Sequence, residues 1–345
     1  MGKMKAAIYT GIGQIGVQEV ERLSPPPGYV TLHTKQTGIC GSDLHSYFGQ
    51  WDQSHTLAAG HETCGIVAQI GEDVTGFQTG DVVAVECFSH CGRCVYCRKG
   101  LYNHCLERKW VSHNTHGGFA EYTTAHASGL FKLPEGMSFE EGALVEPLAV
   151  SYRAVGRSGA TYRDRVAIIG GGTIGQLCLA AAKAAGVKET LITVKYDQQA
   201  RLAKELCADH VVRIGETDLR EYVKDLTGGL GMDAVIETVG GGGNFDDALA
   251  IVRRRGTVVL VAGYHKPLEV DLGRIVWSEA VVTGSNCYGY SGMDTDFQAA
   301  IDLIRSGRVE AAKLVTHRFP LEEISEAFKV AADKGSGAIK VHVCQ

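Results

Sequence analysis

The stretch RVAIIGGGTIGQLCLAAAKAAGV, Arg165 to Val187, constrains the fold more than any other part of the chain. An apolar run leads into a glycine turn, and an alanine-rich segment of helical character follows. Gly170, Gly172 and Gly175 give the spacing G-x-G-x-x-G. Between a strand and a helix, these glycines let the backbone approach a pyrophosphate, which then sits on the N-H groups at the helix start, around Thr173 and Ile174. A tight turn without a ligand is the alternative reading. Strand and helix patterns continue to alternate from about residue 151 to 287, which predicts a doubly wound parallel sheet of the Rossmann type.

The next strand, TLITVKYD, decides the nucleotide. In NAD-binding units an acidic residue about 20 positions past the glycines binds the ribose 2′-hydroxyl. That position is Val194, followed by Lys195 and Tyr196. A missing carboxylate removes repulsion of a 2′-phosphate, Lys195 adds attraction, and Tyr196 is placed to flank the adenine. NADP is the favoured cofactor; NAD is the alternative, with Asp197 reaching the ribose. Lys195 also reads as a solvated strand-end charge, and Arg201 is a further phosphate candidate. GMDAVIETVGG and GTVVLVAGY are expected to be strands whose C-terminal ends, at Thr238 and Gly263, meet the cofactor. The run Arg253–Arg255 is expected to cap a helix C-terminus, and Val281–Thr283 to form an outer strand.

Two further clusters have metal-ligand chemistry. Cys91, Cys94, Cys97 and Cys105 stand within SHCGRCVYCRKGLYNHC. Four thiolates at this spacing can enclose one tetrahedral ion and leave no open position, so the predicted role is a structural zinc in a lobe spanning 87–105. An iron–sulfur cluster and ordinary buried cysteines are the alternatives. Upstream, TGICGSDLHSYFG carries Cys40, Ser42, Asp43 and His45, AAGHETCGIV carries His61 and Glu62, and GALVEPLAV carries Glu146. One thiolate, one imidazole and one or two carboxylates can hold zinc with a place left for substrate. Each residue taken alone also has an ordinary structural reading; Glu146 before Pro147, for instance, can simply open a helix. Cys64 reads as core.

Cys40-Gly41-Ser42-Asp43-Leu44-His45, Gly60-His61-Glu62, the four-cysteine lobe, Gly117-Gly118-Phe119-Ala120-Glu121-Tyr122 and Glu146-Pro147 occur in the order found in zinc-dependent medium-chain dehydrogenases. Over essentially its whole length the chain resembles that family, and the Glu62 and Glu146 pattern resembles its sorbitol (polyol) dehydrogenase branch. The resemblance implies an α/β protein. An irregular, GroES-like β catalytic domain would take residues 1–150 and 288–345, and a Rossmann coenzyme domain 151–287. It implies that Cys40 and His61 ligate the catalytic zinc, and that Glu62 and Glu146 do so directly, through water or in exchange. Asp43 would orient His61, and Ser42 and His45 would relay to solvent, through the cofactor ribose, the proton of a zinc-bound alcohol, leaving an alkoxide that can expel hydride. The implied activity moves hydride between a secondary alcohol (polyol, sugar or cyclitol) and NADP or NAD. Threonine- or butanediol-type substrates are the alternative, and a non-catalytic zinc- or nucleotide-binding paralogue is the alternative from another class. Tyr47, Trp51 and Phe119 are candidates for the pocket wall or for the core.

The remaining bounds are broad. A chain of 345 residues with 45% hydrophobic residues can bury two cores. With a net charge of −5 and no basic face, a nucleic-acid partner is not expected. The N-terminus has no apolar run of membrane or signal length, and eleven cysteines without an export signal favour the cytoplasm. The expected partners are a small alcohol or ketone and further copies of the chain, as homodimer or homotetramer.

Overall fold

The computed structural model describes residues 2–52, 54, 56–112 and 114–345. The chain forms two compact units, one of residues 1–146, 300–305 and 311–345, the other of 147–299 and 306–310.

The first unit is built on a mixed seven-stranded sheet. Its order in space is Val315–Pro320, Lys340–Cys344, Tyr29–Gly38, Glu62–Ile70, Val82–Val85 and Leu130–Lys132, with Tyr122–His126 also pairing with Tyr29–Gly38. The last strand of the chain therefore lies beside the first strand of the sheet, with His342 opposite Gly38. Sequence pattern could not show this pairing, because it closes across the whole chain. The helix Ile324–Ala332 contributes Phe328 to a core that also holds Tyr9, Tyr47, Phe119 and Val343. Tyr47 and Phe119 are thus core residues and not pocket wall, since the Phe328 ring packs against both. Trp51 stays 43% exposed, against the His45 ring.

The second unit holds a six-stranded, wholly parallel sheet. Its spatial order is His210–Arg213, Glu189–Val194, Arg165–Ile169, Met232–Glu237, Val252–Leu260, Val281–Gly284. In chain order this is 3-2-1-4-5-6, the doubly wound Rossmann arrangement, whose strand order reverses beside Arg165–Ile169. The near-continuous apolar strands follow from burial on both faces; Val166, Ala167 and Ile168 are fully buried. Val281–Gly284 is the outer strand.

The run Arg253–Arg255 does not cap a helix. The helix Gly242–Ile251 passes directly into the strand beginning at Val252, and the three arginines lie in that strand. Gly256 then lets it close onto its neighbour, since a Cβ there would stand 2.8 Å from the Asp233 carbonyl oxygen. Arg253 Nε pairs with Asp233 at 2.6 Å.

Candidate active site and metal centres

The four-cysteine lobe brings its sulfurs together. Cys91, Cys94, Cys97 and Cys105 place their Sγ atoms within 4.8 Å of one another. The Cys94–Cys97 separation is 3.5 Å and the Cys91–Cys97 separation 4.0 Å. These bracket the ~3.8 Å edge that four Zn–S bonds of ~2.3 Å give in a tetrahedron. Backbone N-H groups of Cys91 and Glu107 point to Cys105 Sγ, and that of Cys94 to Cys91 Sγ, at 3.3–3.4 Å. The Cys97 N-H does the same for Cys94, whose thiol is pulled down to about 6. Such donors stabilise thiolates, the form that binds metal. All four sulfurs converge on one point, which suits a single closed ion and not a cluster whose ligands are spread over several irons.

The second centre forms where two antiparallel strands end together. Gly38, the last residue of its strand, is opposite Glu62, the first of the next. Cys40 and His61 flank that pair in sequence. Cys40 also opens the helix Gly41–Tyr47, where Asp43 Oδ2 accepts its N-H at 2.8 Å and fixes the turn. The result is a donor set of Cys40, His61 and Glu62 with ligand atoms within 4.8 Å of one another. Asp43 Oδ1 lies 3.8 Å from His61 Nδ1, which leaves Nε2 directed elsewhere; Ser42 Oγ is 3.5 Å from Nε2. His45, one helical turn beyond Ser42, bonds through Nδ1 to Gln50. Glu146 stands in the first turn of the helix Val145–Ser158 and is buried beside the set. Cys64 is fully buried, and its thiol bonds to the Phe139 carbonyl at 2.8 Å.

Electrostatically this pocket wants a cation. Burial raises the Asp43 carboxyl above its usual range. Burial and the neighbouring Glu62 push Glu146 up to about 7, against the pull of His61 and Lys340. Burial opposes protonation of His61, but Asp43, Cys40 and Glu146 outweigh it and hold the imidazole well above its ordinary value. Burial sets the two carboxyls high, and the crowd of acidic groups and the Cys40 sulfur draw positive charge to His61, an arrangement that accepts a cation. The donor chemistry therefore fits zinc. One participant was not visible in the sequence: Lys340, 1% exposed, whose Nζ is ion-paired with Glu62 and donates to the Ile39 carbonyl at 3.0 Å. Gly38 makes room for this pair, since a Cβ there would stand 2.6 Å from Lys340 Cε.

The cofactor signature has its expected setting. Gly170 adopts φ +110° at the end of its strand, and Gly172 is the N-cap of the helix Thr173–Ala184. A methyl group on Gly175 would overlap the Gly170 carbonyl oxygen, so helix and strand can meet only there without a side chain. At Gly172 a Cβ meets nothing within 4 Å, leaving the approach to the helix N-H groups open. Ile174 offers its carbonyl to Ser151 Oγ. Val194 is 1% exposed and lies against the turn: its Cγ1 is 2.9 Å from where a Cβ on Gly171 would be. Lys195 is exposed, and its N-H, like that of Tyr196, donates to Gln199 Oε1. Thr238 Oγ1 bonds to the Ile169 carbonyl at 2.8 Å, and the Gly263 carbonyl oxygen stands 3.2 Å from a Cβ built on Gly240. The sequence reading also missed Glu237. Fully buried, it accepts the N-H groups of Val239 (2.7 Å) and Gly240 (2.8 Å) on one oxygen and the Tyr264 hydroxyl (2.6 Å) on the other. It ties together the loops after the fourth and fifth strands.

Family comparison agrees with both halves. Residues 26–135 match the alcohol dehydrogenase GroES-like domain, and residues 173–306 the zinc-binding dehydrogenase domain. The sorbitol dehydrogenase of Halalkalibacterium halodurans is 35% identical over 344 residues, covering 98% of each chain. The 2-dehydro-3-deoxy-L-galactonate 5-dehydrogenase of Pseudoalteromonas atlantica is 38% identical over 327 residues, 94% of each chain. Among solved structures, a zinc-binding dehydrogenase of Sinorhizobium meliloti bound to NADP superimposes with a TM-score of 0.90 at 28% identity, covering 100% of both chains. An Escherichia coli alcohol dehydrogenase complexed with NADH gives 0.91 at 26%, again over 100% of both. The chain belongs to the zinc-dependent medium-chain dehydrogenases, in their polyol dehydrogenase branch. It is an oxidoreductase that uses a nicotinamide cofactor. Among the described residues no helix is long and apolar enough to cross a membrane.

Proposed function

We propose that the protein oxidises a secondary hydroxyl of a polyol or sugar acid, or reduces the matching ketone, with NADP as the hydride partner. The observation carrying this reading is the convergence of Cys40, His61 and Glu62, with ligand atoms within 4.8 Å of one another, in a pocket that also buries Asp43 and Glu146. Polyol and sugar-acid dehydrogenases among the relatives support the substrate class.

When bound, zinc supplies a Lewis acid that makes a nearby hydroxyl acidic. The chain's own residues do the rest. Cys40 and His61 hold the ion, with Glu62 or Glu146 as third donor. Asp43, with its carboxylate 3.8 Å from His61 Nδ1, orients the imidazole by charge. Ser42 accepts the substrate proton, and His45 passes it to solvent. The glycine turn holds the pyrophosphate, and Val194 with Lys195 favours the 2′-phosphate. The four-cysteine lobe serves folding alone. The exposed outer strand Val281–Gly284, with Trp277 86% exposed close by in sequence, supports pairing of subunits into a dimer or tetramer. Eleven cysteines, none in a disulfide among the described residues, support a reducing compartment such as the cytoplasm.

The test is cofactor reduction over a panel of polyols, sugar acids, vicinal diols and threonine, with NADP and NAD in parallel, in protein whose zinc content has been measured. Turnover of a polyol or sugar acid with NADP is expected. Turnover confined to threonine or a diol would move the substrate class, a reading that the 32% identical threonine 3-dehydrogenase of Pyrococcus horikoshii keeps in view. Silence in protein carrying two zinc ions per chain would remove the substrate reading.

A further inference from the structure

The strand His210–Arg213 carries an arginine that neither the glycine signature nor the residues after it account for. Arg213 is in direct register with Val194, the position where an acidic residue would bind the ribose. Adjacent strands are ~4.8 Å apart, so Arg213 starts one strand spacing from the nucleotide-discriminating position. Its guanidinium turns toward the segment that follows Val194: Nη2 pairs with Asp197, and Nε lies 3.3 Å from Glu216. The arginine side chain is only 28% exposed, whereas Asp197 is 73% and Glu216 70% exposed. The cation is therefore held in place, while the two acids that neutralise it stand in solvent, where such pairs are weak and exchangeable. Exposed Lys195 lies between Val194 and Asp197.

We infer that Arg213 is a second cation for the 2′-phosphate of the cofactor, held ready by Asp197, which the phosphate displaces. A phosphate accepts two parallel N-H bonds from a guanidinium fork and so displaces a solvated carboxylate from it. Asp197 then has a role opposite to ribose binding: it sets how strongly the site prefers a phosphorylated ribose. The inference rests on the NADP reading of Val194 and Lys195, and adds a residue to it from a different strand.

The test uses calorimetric binding of 2′,5′-ADP against 5′-AMP, which reports the half-site without turnover. Wild-type protein is expected to bind 2′,5′-ADP more tightly. Arg213→Ala should lose roughly tenfold for 2′,5′-ADP and little for 5′-AMP, and Arg213→Lys should recover part of that loss. Asp197→Asn should tighten 2′,5′-ADP severalfold and leave 5′-AMP unchanged. If Lys195→Ala reduces the preference but Arg213→Ala, folded by circular dichroism, does not, the NADP reading stands and the role of Arg213 is overturned. If wild type shows no preference, the NADP reading fails. Asp197→Asn combined with Glu216→Gln still decides the inference in that case, because uncovering Arg213 must create a preference for 2′,5′-ADP, and its absence rejects the assignment.

Discussion

Lys340 and Glu62 form an ion pair in which the side chains are 1% and 2% exposed, at the edge of the Cys40–His61–Glu62 donor set. A buried lysine is costly unless its charge is met, and here a carboxylate and the Ile39 carbonyl meet it. The pair also governs Glu62. A carboxylate held by an internal cation offers less of its charge to a metal than a free one, so Lys340 tunes how strongly Glu62 competes for the ion.

Lys340→Met should therefore strand a buried carboxylate. Metal-free protein is expected to lose about 3–5 kcal/mol of stability, and zinc-loaded protein less, because the ion takes over the compensation of Glu62. Denaturant midpoints with zinc and with a chelator measure both. An equal fall in the two media would separate Glu62 from the metal.

Cys40→Ala should leave the fold and cofactor binding intact, lower zinc from two ions per chain to one, and cut turnover to below about a thousandth. Cys94→Ala removes the other ion. Its expected effect is on stability, with a thermal midpoint lower by on the order of 10 °C, since metal binding in a closed thiolate site is folding energy. Metal analysis with thermal melts distinguishes the two sites; a Cys94→Ala protein of normal stability would refute the structural role.

What the sequence discloses depends on how local the cause is. Gly170, Gly172 and Gly175 are legible because the turn they make is complete within six residues, and the four thiolates because they share one loop. Cys40 and His61 are legible only in part: each stands at a strand end, and it is the pairing of Gly38 with Glu62 that makes them neighbours. Lys340 was hidden. Its partner Glu62 is remote in sequence though adjacent in the fold, and a lysine in AIKVHVC reads as an ordinary solvent-facing strand position. No local signal was available: Lys340-Val341-His342-Val343 alternates like a strand with one polar, wet face, yet Lys340 and His342 are both buried. Arg253–Arg255 misled for the converse reason. A charge run after a helix resembles a cap, but with no loop between Ile251 and Val252 the same residues begin a strand.

Acid stability of the nucleotide-binding unit should depend on Glu189. His210 Nε2 at 2.9 Å and Arg165 Nε at 2.6 Å donate to its carboxylate. The His210 bond foremost, then the Arg165 bond, hold its pKa below the ordinary 4.5 despite partial burial. A folded value below the unfolded one means that the unfolded chain takes up the proton first. The stabilisation is therefore complete above pH 4.5 and fades as the pH falls through the lower folded value. Glu189→Gln should cost on the order of 1 kcal/mol at pH 7 and nothing once wild-type Glu189 is itself protonated. Urea midpoints from pH 7 to 3 should converge; parallel lines would deny Glu189 the role.

Val194→Asp tests the nucleotide reading at its narrowest point. The side chain lies against Gly171 in the glycine turn, so a carboxylate there would stand where the adenosine ribose is handled. It would accept a 2′-hydroxyl and repel a 2′-phosphate, with Lys195 beside it too exposed to cancel the repulsion. The ratio of kcat/KM for NADP to that for NAD is expected to fall by about tenfold or more, with kcat for the better cofactor near the wild-type value, because Val194 touches no reacting atom. An unchanged ratio would mean that the 2′ position is read elsewhere, and Asp197 would then be the residue to replace next.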